Sequence, residues 1–506
     1  MKKTVFIKNA AILTISSLIL RLLGVVFRVW LANFIGAEGI GLYQLIFSVY
    51  VLVATFATSG ISTAVTRLVS DELIAESQSG AVNILKKAIY ITVLIAVISL
   101  VLLIAFSSPI SIYIISDIRA VPALRILGFS LPFMGVSSCL RGYFIARRKA
   151  SPNASTQIFE QAVRIGVVFF AVSKFSSKGL AFCCGAVLFG DTIAEAASCT
   201  LLYYLYKKDL KNIASFCKKP GNIKVFKGIT HIALPITAGR YLNTLLRTAE
   251  NILVPKNLAK CVFSGENALS QFGMIKGMAL PILFFPSTLL NSLSTLLIPE
   301  MSDAKLQNRN FVVRSATEKI LRLTFFMGVI FGAIFFTCGI KVGEVVYKSD
   351  VVGLLIKYLS PIVPLMYLDS VSDGILKGLD QQLFTFKTAV FDSGFRIVLI
   401  LIFLPVYGLK GFIAIMYFSN ALTCGFNVTR LIKITGAKFN FLREIMLPLT
   451  SALAITFTAN NILNITNVSN NIVYIITIAL ISIFFFLLFL FGFNALNTEE
   501  IKYMIK

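Results

Sequence analysis

The stretch LRLLGVVFRVWLANFIG, residues 20–36, has the composition of a membrane helix yet carries Arg21 and Arg28 among residues that are almost all apolar. The two arginines stand two helical turns apart, so they project from nearly one face, and no acid lies within reach on their own helix. A charge inside a span is costly unless it is paired or faces water. Either these side chains snorkel to headgroups, or they line a hydrated cavity.

Around this stretch the whole chain reads as membrane protein. Its 506 residues are 57% hydrophobic and 14% charged, with a mean hydropathy of +0.85, far outside the range of soluble globular domains. Apolar windows recur from end to end, and about fourteen of them are long enough to cross a bilayer as helices. The fold class expected is therefore all-α and multi-pass. The start, MKKTVFIKNA, is basic like a signal peptide, but the apolar run after it is too long and contains arginines, so it reads as an uncleaved first span. With the N-terminus in the cytoplasm, most of the 47 Lys and Arg residues fall in the tails and the even-numbered connections, which satisfies the positive-inside rule and puts both termini in the cytoplasm. The net charge of +24 then answers to anionic membrane lipids and needs no nucleic acid.

The chain also repeats itself. One constant shift brings Ser62-Thr63 onto Ser294-Thr295, Ser70-Asp71 onto Ser302-Asp303, Arg125 onto Lys357, and Pro132 and Met134 onto Pro364 and Met366. The same shift carries Glu160 and Arg164 onto Asp392 and Arg396, and Lys178-Gly179 onto Lys410-Gly411; with a local gap, LRG at 140–142 matches LKG at 376–378. Six spans separate equivalent helices, so the copies run in the same sense, as in the parallel class of transporter repeat. The expected organisation is an N-terminal six-helix lobe (1–206), a lysine-rich cytoplasmic linker (207–227), a second six-helix lobe (228–435) and an additional helix pair (436–506).

The intramembrane charges form the site shortlist. Glu160 with Arg164 and Asp392 with Arg396 are spaced for ion pairs on one helix face, and read as structural. The seventh span repeats the opening arrangement with Arg240 and Arg247, Glu250 standing near enough to moderate the second, and the eighth adds Lys276. Arg21, Arg28, Arg240, Arg247 and Lys276 are the expected substrate-binding set, converging on a chamber for an anion. Arginine's planar fork suits phosphate, and a pyrophosphate is a fitting target. Asp191 with Glu195, and Asp369 with Asp373, are like-charge pairs one helical turn apart; they are candidates for ion coupling, or else partners of bases on neighbouring helices. Gly273, Gly277, Pro281 and Pro286 in the eighth span and Pro235 in the seventh predict bends. Cys139, Cys183, Cys184, Cys199, Cys338 and Cys424 fall within spans and read as small hydrophobes, and the single histidine, His231, sits at a helix entrance. Neither a metal site, nor a cofactor, nor a catalytic residue is expected.

Residues 9–72, above all LRLLGVVFR and GAEGIGLY, resemble the stage V sporulation protein B group of polysaccharide exporters. That group belongs to the multidrug/oligosaccharidyl-lipid/polysaccharide (MOP) superfamily with its MATE-like fold, and MurJ-type lipid II flippases are relatives. The resemblance implies an alternating-access flippase that moves an undecaprenyl-pyrophosphate-linked saccharide outward, with cell-wall synthases as candidate partners and a role in spore cortex or envelope synthesis. MurJ-like members carry first-helix arginines in the pattern R-x-L-G-x-x-R-D; here the second arginine comes one residue later and Val29 takes the aspartate's place. A drug/cation antiporter of the same superfamily calls for a predominantly acidic cavity, which the arginines argue against. A polymerase or ligase of lipid-linked glycans needs external acids or bases, and the richest external loop, NNILNITNVSNN at 460–471, has none.

Overall fold

The computed structural model describes residues 3–58, 60–175, 179–211, 225–261, 267–291, 301, 303–305, 307, 309–438, 440–454, 456 and 471–492. Most of the 207–227 linker, Ser294-Thr295, Ser302 and nearly all of the 460–471 loop lie outside them. The described elements are helices: α1 (Lys3–Thr58), α2 (Ile61–Ile74), α3 (Gln78–Ala105), α4 (Ala120–Gly128), α5 (Ser130–Ala146), α6 (Ala150–Phe175), α7 (Leu180–Lys211) and α8 (Val225–Leu258). They continue as α9 (Ala268–Phe284), α10 (Asn310–Tyr347), α11 (Asp350–Leu359), α12 (Val363–Gly378), α13 (Gln382–Thr435), α14 (Glu444–Ala454) and α15 (Asn471–Gly492).

Among the described residues, seven helical stretches are long and apolar enough to cross a membrane, and α9, α14 and α15 supply shorter apolar helices. Two stretches are of double length. The 54 residues of α13 would extend about 80 Å at 1.5 Å per residue, against a hydrocarbon core of about 30 Å. Each doubled stretch carries a break: Gly36 in α1 (φ 73°) and Gly408 in α13 (φ 52°) leave helical geometry. In the eighth span, where Gly273, Gly277 and Pro281 lie, the backbone of α9 forms a π-helical turn at Gly273–Ala279.

The chain packs as two compact units, Met1–Phe27 with Glu38–Lys256, and Arg28–Ala37 with Asn257–Lys506. The packing boundary thus falls one helix later than the linker, because α8 packs with the segments before it. In the first unit the core joins α2, α3, α5, α7 and α8 through residues such as Val65, Leu85, Leu140, Leu202 and Ile229. With no water to expel inside a bilayer, close backbone approach matters more than apolar area. Gly60 shows it: φ is +76°, and a Cβ there would lie 2.5 Å from the Ala233 carbonyl oxygen and 2.8 Å from Thr237 Oγ1. In the second unit Phe326, Val329, Ile330 and Ile334 of α10 receive Phe486 of α15.

Polar contacts fasten the C-terminal helices to α10. Arg322 meets Glu444 at 2.5 Å, Glu318 accepts from the Lys438 backbone N–H at 2.7 Å, and Asn471 donates to Glu344 at 3.1 Å. Asp117 accepts from the Arg119 N–H in the turn before α4, and at the position related to it by the shift, Ser349 caps α11 by accepting from the Val352 N–H. Both expected ion pairs are present as contacts, Arg164 to Glu160 at 3.0 Å and Arg396 to Asp392 at 3.1 Å. In the first unit Arg164 also reaches Asp191 on α7 at 2.8 Å, and Arg141 on α5 reaches Glu160 at 2.8 Å. In the second, Ser419 bonds to both Asp392 and Arg396. All seven cysteines of the described residues are buried and unbridged.

Two stability outcomes follow from this packing. Gly60→Ala should destabilise by about 1–3 kcal/mol through its left-handed backbone and by further overlap with α8. Gly24→Ala, where a Cβ meets nothing within 4 Å, should be neutral or better; equal melting temperatures in detergent would refute the close-approach argument. Arg164→Met leaves two carboxylates short of a partner and should cost about 3 kcal/mol, part of which Asp191→Asn in the same chain recovers. Removing the half-exposed Arg314, paired with Glu318 at 2.9 Å, should cost less than about 1 kcal/mol.

Candidate functional site: an arginine-lined cavity in the first unit

Helices α1 and α8 each carry a polar stripe at helical spacing. On α8 it runs Arg240, Thr244, Arg247, Asn251; on α1 it runs Gln44, Ser48, Thr55, Thr58, interrupted by Val51. Steps of three and four residues keep each set on one face. The two faces enclose a cavity of about 620 Å³, to which Phe47, Asn243, Thr248, Ser62 of α2 and Ser138 of α5 add their side chains. That volume lies in the range of ligand sites in general.

The wall is held in place by its own hydrogen bonds. Thr248 donates to the Ser48 carbonyl at 3.1 Å, and Asn251 donates to Ser48 Oγ at 2.9 Å, which ties α8 to α1. Phe56 and Tyr241 meet edge to face with centroids 6.0 Å apart. Ser48, Thr55, Thr58 and Thr244 each give their proton to the carbonyl one turn back, at 2.7–2.9 Å. Their hydroxyl oxygens keep lone pairs, so these side chains present acceptors to whatever enters. The cations are Arg240 and Arg247, both exposed to the cavity space. No carboxylate lines the cavity, and among the described residues neither arginine is paired with one, so Glu250, itself buried, does not neutralise Arg247.

The other shortlisted cations do not line this cavity. Arg21 is exposed on α1 within the first unit. Arg28, also exposed, falls in the stretch of α1 that belongs to the second unit and stands within electrostatic reach of the Tyr347 hydroxyl. Lys276, on the π-helical turn of α9, holds its ammonium 6.0 Å from the centre of the Phe412 ring. His231 is exposed near the start of α8.

The acid pairs have separate fates. Asp373 pairs with Lys377 at 2.5 Å, and Asp369 accepts from Asn427 at 2.8 Å. Asp191 is held by Arg164, whereas Glu195 pairs with no base among the described residues. Sequence reasoning overlooked Arg141 and the hydroxyl and amide wall. The signal for Arg141 was its match with Lys377 in the repeat; the signal for the wall was the polar periodicity of α1 and α8.

Residues 6–305 match the family described as polysaccharide biosynthesis protein. Stage V sporulation protein B of Bacillus subtilis (strain 168) is 30% identical over 383 residues, covering 75% of this chain and 74% of its own length. Lipid II flippase MurJ of the same organism is 22% identical over 421 residues, covering 78% of this chain and 76% of its own. A solved structure of lipid II flippase MurJ in an inward closed conformation shares the fold, with a TM-score of 0.71 at 16% identity, over 94% of this chain and 97% of that one. The resemblance read from residues 9–72 is thereby extended over most of the chain, a multi-pass membrane protein that belongs to the polysaccharide biosynthesis protein family.

Proposed function

We propose that this protein is a flippase that carries an undecaprenyl-pyrophosphate-linked saccharide, lipid II or a related unit, from the inner to the outer leaflet. The observation that carries the reading is the first-unit cavity: two arginines that have no carboxylate partner among the described residues, set in a wall of hydroxyls and amides. Arg240 and Arg247 stand two turns apart, about 10 Å along the axis, and their long side chains can converge on the two phosphates. The surrounding hydroxyl oxygens accept hydrogen bonds from sugar hydroxyls and acetamido N–H groups. Arg21, Arg28 and Lys276 are further candidate phosphate contacts.

The relatives support the same direction, one by its name as a lipid II flippase and the other by its name as a sporulation protein. We extend this to a role in spore cortex or cell-envelope synthesis, with lobes 1–206 and 228–435 as the duplicated moving parts and both termini in the cytoplasm. Cell-wall synthases are candidate partners on the outer face, where the lipid-linked product would be consumed.

Reconstitution in liposomes with a labelled lipid-linked saccharide tests the proposal. A charge-assisted hydrogen bond contributes about 1.5–3 kcal/mol, so Arg240→Ala and Arg247→Ala should each slow flipping roughly 10- to 100-fold. Arg314→Ala, whose partner is Glu318 on its own helix, should leave the rate unchanged. Flipping at wild-type rate in both cavity variants would sink the assignment.

A further inference from the structure

The first unit holds a second cluster of charges that the cavity does not use. Glu160 and Arg164 on α6, Arg141 on α5, and Asp191 and Glu195 on α7 meet in one network. Three carboxylates face two guanidiniums, so the fully ionised cluster carries one excess negative charge.

The contacts show where the excess falls. Glu160 is doubly satisfied, with Oε1 on Arg164 at 3.0 Å and Oε2 on Arg141 at 2.8 Å. Asp191 touches Arg164 Nε through Oδ1 at 2.8 Å, but the N–H does not point along that contact. Asp191 as a residue is only 8% exposed. Its Oδ2, and Oε2 of Glu195, are sealed from solvent with no hydrogen-bond donor. The Arg141 NH2 group that meets Glu160 also reaches Ser198 at 3.4 Å, while its buried Nε has no hydrogen-bond partner. Tyr50, which α1 brings near the two acids, has its hydroxyl bonded to Ser130 at 2.6 Å, and Cys199 lies one turn beyond Glu195.

Glu195 is half-buried, and a carboxylate with one oxygen sealed from water and neither donor nor counter-ion is destabilised as an anion, which favours uptake of a proton or a cation. The surroundings decide between them. The positions nearest the acids are filled by guanidiniums, which repel a metal ion, and among the described residues no cluster of acids, cysteines and histidines has the arrangement of a metal site. A proton needs only one oxygen.

The duplication sharpens the point. At the shift that carries Arg164 onto Arg396, Asp191 falls on Thr423 and Glu195 on Asn427. The second copy has a neutral hydroxyl and a neutral amide where the first has acids. Thr423 donates to the Ser419 carbonyl at 3.1 Å, and Asn427 donates to Asp369. Acids at these two positions are peculiar to the first unit; the second unit's acid at this junction, Asp369, comes from α12 and has Asn427 as its donor.

We infer that Glu195, with Asp191 beside it, is a proton-binding site that holds one proton in the resting protein and exchanges it during transport. When the proton leaves, α5, α6 and α7 are left with one unmatched charge at their junction, and a guanidinium must shift from Glu160 or Asp191 toward Glu195 to relieve it. The site stands by itself; its use to drive transport rests on the flippase reading.

Infrared difference titration of the purified protein tests the site without any substrate. The wild type should show the carbonyl stretch of a protonated carboxylic acid that vanishes on alkalinisation. Glu195→Gln should lack that band and Glu318→Gln, on α10 and outside the network, should keep it; a loss common to both would report folding and count against the assignment. A wild-type protein without the band, or a band unchanged in Glu195→Gln, overturns the proposal, as does a band lost only in Asp191→Asn. In liposomes, the ratio of flipping rates with and without a pH gradient should exceed one for the wild type and fall to one for Glu195→Gln. A gradient-independent wild type refutes the coupling, whereas the absence of any flipping refutes the flippase reading and leaves the infrared result to judge the site.

Discussion

A charge inside hydrocarbon must be matched or wetted, and this constraint organises the chain more than any apolar contact does. Lipid competes with every Leu and Phe for apolar neighbours, so burial of such residues distinguishes the folded arrangement only weakly. An arginine has no such alternative in a bilayer. The positions of Arg141 and Arg164 therefore bear on which helices touch: the first draws α5 onto α6 and the second draws α6 onto α7.

The protein uses two answers to the constraint, and function divides along them. Where guanidiniums meet carboxylates, as at Glu160, Asp392 and Glu444, charge is spent on holding helices together. Where they meet only hydroxyls, amides and open space, as at Arg240 and Arg247, charge is kept available for a ligand. The hydroxyl wall is suited to this because it carries no formal charge, so it does not neutralise the guanidiniums or repel a phosphate as carboxylates would. Glu195 belongs to neither class, which is why the network around it invites a proton.

Much of this was legible in advance. The helical class, the Glu160–Arg164 and Asp392–Arg396 contacts and the irregular backbone of α9 follow from periodicity and composition over short windows. The four-residue spacing of Glu and Arg is a property of one helix, so no knowledge of its neighbours was needed. The Arg240–Arg247 face was visible for the same reason. Less visible were the contributions of Asn243, Asn251, Gln44 and Ser138, because polar side chains in a span mark a cavity only once a second polar face is known to stand opposite.

The sequence by itself determined that the chain crosses a membrane repeatedly and that a handful of charges had to be accounted for. Those properties depend on length, hydropathy and spacing, which are local. Only the tertiary structure decided that Asp191 is held by Arg164, that Arg141 completes Glu160, that α8 packs with the first unit and that Arg247 stays clear of Glu250. Which of several nearby acids an arginine meets depends on distances between helices far apart in the chain. A difference of a few ångströms there separates an ion pair from a binding site.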